Sequence, residues 1–238
     1  MKKNILIIGY GNIASRLHAI LCKDSYKIYG MSRTRKRGLE NHIEWNWLYK
    51  DLPNLECNHF ESIIFIPKPS SRSLTAYQEG FLKSSENTFN FIEASKKIVY
   101  KKFITISSTG AYGRTTSQES YLDEFSNIVP MFTEEDPYPG HDITDCQQVI
   151  RHYEQNQTKR YGNKLILLRF SGLYDIEPIS KNHLHRQNAA KIIKFFIEND
   201  FDFSSPEIFN CTEDASLFVG EKKSSYGNIS NKKIKKLG

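Results

Sequence analysis

The feature that most constrains the fold lies at the start of the chain. The apolar run 4–8 (NILII) predicts a buried strand, and a glycine-rich turn, 9–14 (GYGNIA), joins it to a predicted helix over 12–22. In a G-x-G-x-x-G/A turn the first glycine permits a tight bend, the second lets the backbone approach a pyrophosphate, and the last small residue lets the helix pack on the sheet. Because strand, turn and helix follow in the required order, we predict a dinucleotide-binding turn. Its predicted cofactor contacts are Gly9, Gly11, Asn12, Ile13 and Ala14.

Short β-branched runs alternate with helical patterns along the rest of the chain, which is typical of a parallel sheet with helices on both faces. Further strands are predicted at 27–31, 62–66, 103–107, 164–170 and 207–211, and further helices at 86–97, 147–159 and 185–199. The stretches 34–59 and 110–145 are predicted to be irregular. A length of 238 residues fits one domain. We therefore predict a single α/β domain, 1–238, with a Rossmann-type doubly wound parallel sheet.

The net charge of +6 is concentrated at the C-terminus, where 222–238 holds six lysines and no acid. The rest of the chain is neutral. We interpret this tail as a solvated basic end, because no nucleic-acid motif accompanies it. Binding of the tail to an anionic polymer is the alternative.

The cysteines and the hydropathy pattern bear on the environment of the chain. Four cysteines lie far apart, which indicates a reducing cytoplasm and neither a disulfide frame nor a metal site. No apolar run approaches the ~20 residues of a membrane-spanning helix. We expect a cytoplasmic protein with no membrane partner.

The end of the second predicted strand favours one nicotinamide cofactor over the other. NAD sites usually place an acid there for the ribose hydroxyls. This chain has Ser32 and Arg33 instead, followed by further cations at Arg35, Lys36 and Arg37. Guanidinium groups bind phosphate through paired hydrogen bonds. We therefore predict NADP rather than NAD, with Ser32 and Arg33 as contacts.

Four segments, together with the glycine turn, carry a family resemblance: 88–94 (TFNFIEA), 103–113 (FITISSTGAYG), 168–174 (LRFSGLY) and 182–190 (NHLHRQNAA). In this order they resemble the extended and atypical short-chain dehydrogenases/reductases, which include the NAD-dependent epimerases and dehydratases. The resemblance implies a dinucleotide cofactor, a small-molecule or nucleotide-sugar-like substrate, and a monomer or homodimer. It also implies cofactor contacts at Ile66, Pro67 and Ser107, and a catalytic hydroxyl at Ser108.

The chain departs from that family at its acid/base. Family members use Tyr-x-x-x-Lys, in which the lysine lowers the tyrosine pKa. None of the 13 tyrosines here has a lysine four residues later, and alignment on Glu154 puts Cys146 and Ile150 at the two positions. Tyr138, in the preceding loop, is the first candidate replacement. We interpret Glu154 itself as a solvent-facing acid.

The substrate side of the chain is reduced as well. Only 175–181 separates the SGLY turn from the NHLH segment, where members of the resembled family have a substrate-binding insertion. The resemblance therefore implies that 175–238 forms a small substrate-side region and the basic tail. His185 is interpreted as a packing and loop-ordering residue. Two functions therefore remain open: an NADP-dependent oxidoreductase or epimerase-like enzyme with a non-standard acid/base, and a non-catalytic NADP-binding sensor or scaffold.

Overall fold

The computed structural model describes residues 2–36, 38–49, 52–94, 98–113, 131–135, 143–178, 182–214 and 228–238. Seven strands form the main sheet: β1 Lys3–Ile8, β2 Tyr26–Ser32, β3 Asn41–Glu44, β4 His59–Phe65, β5 Val99–Ser108, β7 Leu165–Phe170 and β10 Glu207–Cys211. Four short strands form two small pairs: β6 Met131–Phe132 with β11 Asn228–Ile229, and β8 Leu173–Tyr174 with β9 Leu184–His185. The α-helices are α1 Asn12–Ile20, α2 Leu74–Tyr77, α3 Ser84–Ala94, α4 Asp145–Tyr161, α5 Arg186–Glu198 and α6 Lys232–Lys235.

All pairings in the main sheet are parallel, in the order β10-β7-β5-β4-β1-β2-β3. The chain therefore runs outward from β1 in both directions, first through β2 and β3 and then through β4 and the later strands. This is the Rossmann-type doubly wound fold predicted from the sequence. Ligands of such sheets bind at the carboxyl ends of the strands where the order reverses, which here lies beside β1.

The two faces of the sheet bury separate cores. Alternate side chains of β1 point to opposite faces, as the strand period of two requires: Ile5 and Ile7 pack with α1 and α5, whereas Leu6 and Ile8 pack with α3 and α4. All four are completely buried. A strand that is apolar on both faces is the signature of a sheet covered by helices on both sides.

The sequence prediction missed one strand of the main sheet, the short strands and α6, and it misplaced the start of one helix. Strand β3 lies in the stretch predicted to be irregular, because its sequence NHIE has no apolar alternation and only half-buries its side chains. The helix predicted at 86–97 begins at α2, continues through a π-helical segment, Gln78–Lys83, and reaches Ala94 as α3. Residues 95–97 of that prediction lie outside the described residues.

The end of the basic tail is not a solvated arm. Ile234 and Leu237 pack against the core beside α5. Lys233 Nζ lies 2.7 Å from Glu207 Oε2, and Lys235 Nζ lies 2.5 Å from Asp214 Oδ1. The interpretation of this segment as a solvated end was wrong, because two apolar residues among the lysines anchor it to β10. Residues 222–227 of the tail lie outside the described part of the chain.

Candidate functional site

A cleft of about 730 Å³ lies at the carboxyl ends of the strands around β1. Each of five neighbouring strands contributes a residue within two positions of its end: Gly9, Ser32, Ile66, Ile106 and Phe170. The remaining lining comes from the glycine turn, the loop after β2, Trp47, the chain after β4, Leu173 and Arg186. The cleft occupies the position that the strand order predicts for a ligand.

The glycine turn has the conformation that a dinucleotide site needs. Gly9 has φ +94°, and a Cβ there would lie 2.3 Å from the carbonyl oxygen of Ile66, so only glycine fits. A Cβ at Gly11 would meet nothing nearer than 3.9 Å within the protein. Gly11 is the N-cap of α1 and supplies no side-chain oxygen to the first-turn amides. These amides are therefore suited to bind an anion in the cleft.

The described lining next to β2 is basic. Arg33, Thr34 and Lys36 line the cleft, and the Arg33 guanidinium lies 5.9 Å from the centre of the Trp47 ring. Stacking on an aromatic ring orients a guanidinium without neutralising it. Sequence reasoning missed Trp47, because it lies 15 residues beyond the end of β2 in a stretch without periodicity.

Ser32 lines the cleft, and its hydroxyl also makes hydrogen bonds within the protein. Its Oγ donates to the carbonyl oxygen of Thr34 at 2.7 Å and lies 2.8 Å from His42 Nε2. Burial lowers the pKa of His42, so this imidazole favours its neutral form. The Ser32 hydroxyl thus orders the loop that carries Arg33. Direct contact between Ser32 and a cofactor stays a prediction.

The other predicted cofactor contacts divide into two groups. Asn12, Ile13, Ile66 and Pro67 line the cleft together with Gly9 and Gly11. Ala14 is fully buried in the core between α1 and the sheet, which fits the packing role of the last small residue of the turn.

Ser107 faces away from the cleft and joins a buried charged network. Its Oγ donates to Glu154 Oε1 at 2.5 Å, and Glu154 pairs with Arg169, whose Nη2 lies 2.7 Å from Oε2. The side chains of Glu154 and Arg169 are 1% and 3% exposed. The interpretation of Glu154 as a solvent-facing acid was therefore wrong: α4 turns this residue onto β5 and β7, where a guanidinium compensates its charge.

Arg169 extends this network to Tyr112, since its Nη1 donates to the Tyr112 hydroxyl at 2.7 Å. That hydroxyl lies 2.9 Å from Asn210 Oδ1 and 2.8 Å from the carbonyl oxygen of Thr133. Burial raises the pKa of Tyr112 to about 12. Tyr112 therefore stays protonated near neutral pH, and its hydroxyl serves as a structural hydrogen-bonding group.

Ser108 lies at the end of β5, where α4 approaches it. Its Oγ accepts a hydrogen bond from the amide of Gly110 at 3.1 Å. A Cβ at Gly110 would lie 3.3 Å from both Ser108 Oγ and Ile150 Cδ1, so α4 presents an apolar side chain to the turn that follows the serine. Cys146, one turn earlier, is half-buried with its Sγ 3.7 Å from the carbonyl oxygen of Arg72. Tyr138 lies outside the described residues, and its proposed role stays a prediction.

Other tyrosines with shifted pKa values also favour the protonated form. The hydroxyl of Tyr153 contacts Thr105 Oγ1 inside the sheet–α4 core, and burial raises its pKa. The Tyr174 hydroxyl donates to Glu213, which raises its pKa to about 12. Tyr10 lines the cleft, but its hydroxyl lies 2.6 Å from His18 Nδ1 and burial raises its pKa. None of these shifts brings a phenol toward neutral pH, as a general base would require.

His185 orders the chain around the start of α5. Its Nδ1 accepts from the amide of Gln187 and caps α5, and its Nε2 lies 2.8 Å from the carbonyl oxygen of Asp175. These bonds agree with its interpretation as a loop-ordering residue. In the described part of the chain, no three His, Cys, Asp or Glu side chains converge as metal ligands, and no helix combines the length and hydropathy needed to cross a bilayer.

Comparison with solved structures identifies the fold. A protein of Methylobacillus flagellatus assigned to the NAD-dependent epimerases/dehydratases superimposes with a TM-score of 0.67 at 16% identity, over 100% of this chain and 92% of its own. The fold is that of the epimerases/dehydratases. UDP-glucuronic acid 4-epimerase of Bacillus cereus, in complex with NAD, has a TM-score of 0.65 at 14% identity and covers 89% of this chain and 77% of its own.

A human neighbour with this epimerase/dehydratase fold has a different nicotinamide dinucleotide bound. The epimerase family protein SDR39U1, solved with NADPH, has a TM-score of 0.61 at 13% identity, over 88% of this chain and 74% of its own. At these identities the likeness concerns the fold. No protein-family model and no curated protein sequence matches the chain.

Proposed function

We propose that this protein binds NADP(H) in the cleft beside β1. The observation that carries the proposal is the glycine turn: Gly9 is fixed by its contact with Ile66, while Gly11 leaves open space in front of the first turn of α1. Neighbours of the same fold were solved with NAD or NADPH. A diphosphate against the amides of α1 satisfies groups that no side chain caps.

The charge of the cleft favours NADP over NAD. The described lining contains four cations, Arg33, Lys36, Lys68 and Arg186, and no carboxylate. An acid that would bind the 2′-hydroxyl of NAD is thus missing from the lining that the structure describes. Arg33, held over Trp47 at the end of β2, is the group that we assign to the 2′-phosphate.

Arg33→Ala is expected to weaken NADP(H) binding about tenfold or more and to leave NAD(H) binding nearly unchanged. The lost charge-assisted phosphate contact is worth about 1.5–3 kcal/mol. Titration calorimetry with both cofactors measures the effect. Arg35→Ala is the matched control, because Arg35 is exposed and does not line the cleft. Equal affinity of the unmodified protein for the two cofactors would contradict the preference.

For the chemistry, we propose an oxidoreductase or epimerase-like reaction on a small or nucleotide-sugar-like substrate, with a non-standard acid/base. A bound nicotinamide would supply the hydride donor or acceptor. Ser108 is the hydroxyl at the end of β5 that we assign to the reacting oxygen: its Oγ accepts from the Gly110 amide, and its O–H can donate to that oxygen at the same time. Cys146 on α4 stands at the position where the sequence alignment places the family's tyrosine.

A non-catalytic NADP(H) sensor or scaffold is the second candidate. The observation that favours it is Ile150, which is 2% exposed and stands where the family's lysine would lower a phenol pKa. An apolar side chain at that position cannot stabilise a phenolate or carry a proton.

Turnover of UDP-glucose and UDP-galactose is expected to be little or none even with NADP bound. Positioned acid/base catalysis is worth about 10²–10⁴ in rate, and the described residues around Ser108 lack a tuned donor. Nuclear magnetic resonance of the sugar anomeric protons measures epimer formation. Turnover of about 1 s⁻¹ or more, in the range typical of enzymes, that is lost in Ser108→Ala would establish that the protein is an enzyme and would reject the scaffold function.

A further inference from the structure

An ion-pair cluster borders the cleft through Arg186. Asp175, just after β8, contacts Arg16 Nη2 through Oδ1 at 2.8 Å and contacts Arg186 Nη1 through Oδ2. Arg16 also donates through Nε to Asn12 Oδ1 at 2.9 Å. The cluster therefore joins the start of α1 to the start of α5 through a single carboxylate.

The two arginines of this cluster are not equivalent. Arg186 lines the cleft, whereas Arg16 does not. Arg186 is the first residue of α5, and α5 packs alongside α1, whose first turn borders the same cleft. The Arg186 side chain is 30% exposed, so it is held in place while remaining accessible to a ligand. Sequence reasoning missed Arg186, because it falls inside a helix-start segment with no cofactor motif.

Asp175 positions Arg186 without neutralising the cluster. One carboxylate faces two guanidiniums, so the cluster keeps one net positive charge. A guanidinium carries five N–H donors, and Asp175 accepts from Nη1 of Arg186. The remaining donors suit a bidentate contact with phosphate oxygens. Phosphate is also the group that the glycine turn on the neighbouring helix is shaped to bind.

We propose that Arg186, held in place by Asp175, binds the diphosphate in this cleft in addition to the glycine turn. The proposal rests on dinucleotide binding as the proposed function and adds a contact from α5. Since the diphosphate is common to NADP and NAD, Arg186 contributes to the affinity for both. Arg33, by contrast, contributes only to the affinity for NADP.

Calorimetric titration of Arg186→Gln with NADP⁺ and NAD⁺ tests the assignment. Loss of one charge-assisted phosphate contact is expected to raise both dissociation constants about tenfold. Arg16→Gln is the matched control. It removes the same charge and a contact with the same carboxylate, Asp175, but Arg16 does not line the cleft. It is expected to change either constant less than about threefold, as for an exposed ion pair. Thermal unfolding of both variants reports whether they stay folded.

The outcomes separate this proposal from the proposed function. Equal weakening by Arg186→Gln and Arg16→Gln would show a general field or structural effect and overturn the assignment. Weakening of NADP⁺ alone would place Arg186 at the 2′-phosphate and overturn it too. An unmodified protein that binds both cofactors, with unchanged affinity in Arg186→Gln, would overturn only the role of Arg186. If the unmodified protein binds neither cofactor, the proposed function itself fails.

Discussion

Gly11→Val is expected to abolish NADP(H) binding while the chain stays folded. The backbone of Gly11 is extended, with φ −115° and ψ −151°, and a Cβ there meets no protein atom nearer than 3.9 Å. A valine is therefore compatible with the fold, but its side chain would occupy the space where a diphosphate approaches α1. We expect affinity to fall at least about a hundredfold, which corresponds to roughly 2.7 kcal/mol.

Gly9→Val is the matched comparison for this prediction. A Cβ at Gly9 would lie 2.3 Å from the Ile66 carbonyl, and its φ of +94° is unfavourable for valine. This variant should lose stability, whereas Gly11→Val should keep its unfolding midpoint and lose only binding. Calorimetry and denaturant titration on the two proteins separate the effects. A folded Gly11→Val protein with normal cofactor affinity would show that the turn is purely structural.

The cofactor half of the cleft could be predicted because its signals are local. The run 4–8, the turn 9–14 and the cations after β2 are each contiguous in sequence, and their spacing alone specifies strand, turn and helix. Trp47 and Arg186 could not be found in this way. They reach the cleft only because β3 pairs with β2 and because α5 packs beside α1.

The role of Glu154 was misjudged for a related physical reason. Helix α4 is polar over most of its length, and its buried face includes Gln147, Glu154 and Gln157. In a helix of this polarity, a charged residue is expected to face solvent unless an oppositely charged buried partner is known. That partner, Arg169, lies in the apolar strand LILLRF, where an isolated charge is itself the signal of a buried ion pair.

Breaking this ion pair is expected to destabilise the fold strongly. Glu154→Leu or Arg169→Met leaves the other charge buried without its partner, which costs about 3–5 kcal/mol. Urea unfolding measures the loss as a lower midpoint. Lys194→Met is the control: Lys194 pairs with Glu198 at 3.5 Å on the surface of α5, and losing such a pair costs about 0.5 kcal/mol.

The double variant Glu154→Leu with Arg169→Met tests whether the uncompensated charge is the cause. Because both charges are then absent, the double variant should recover about 2 kcal/mol or more relative to either single one. Recovery stays incomplete, since Ser107 loses its acceptor and the Tyr112 hydroxyl loses its donor. Strictly additive losses would instead mean that each side chain stabilises the fold through packing alone, and that the pair beneath the end of β5 carries no coupling energy.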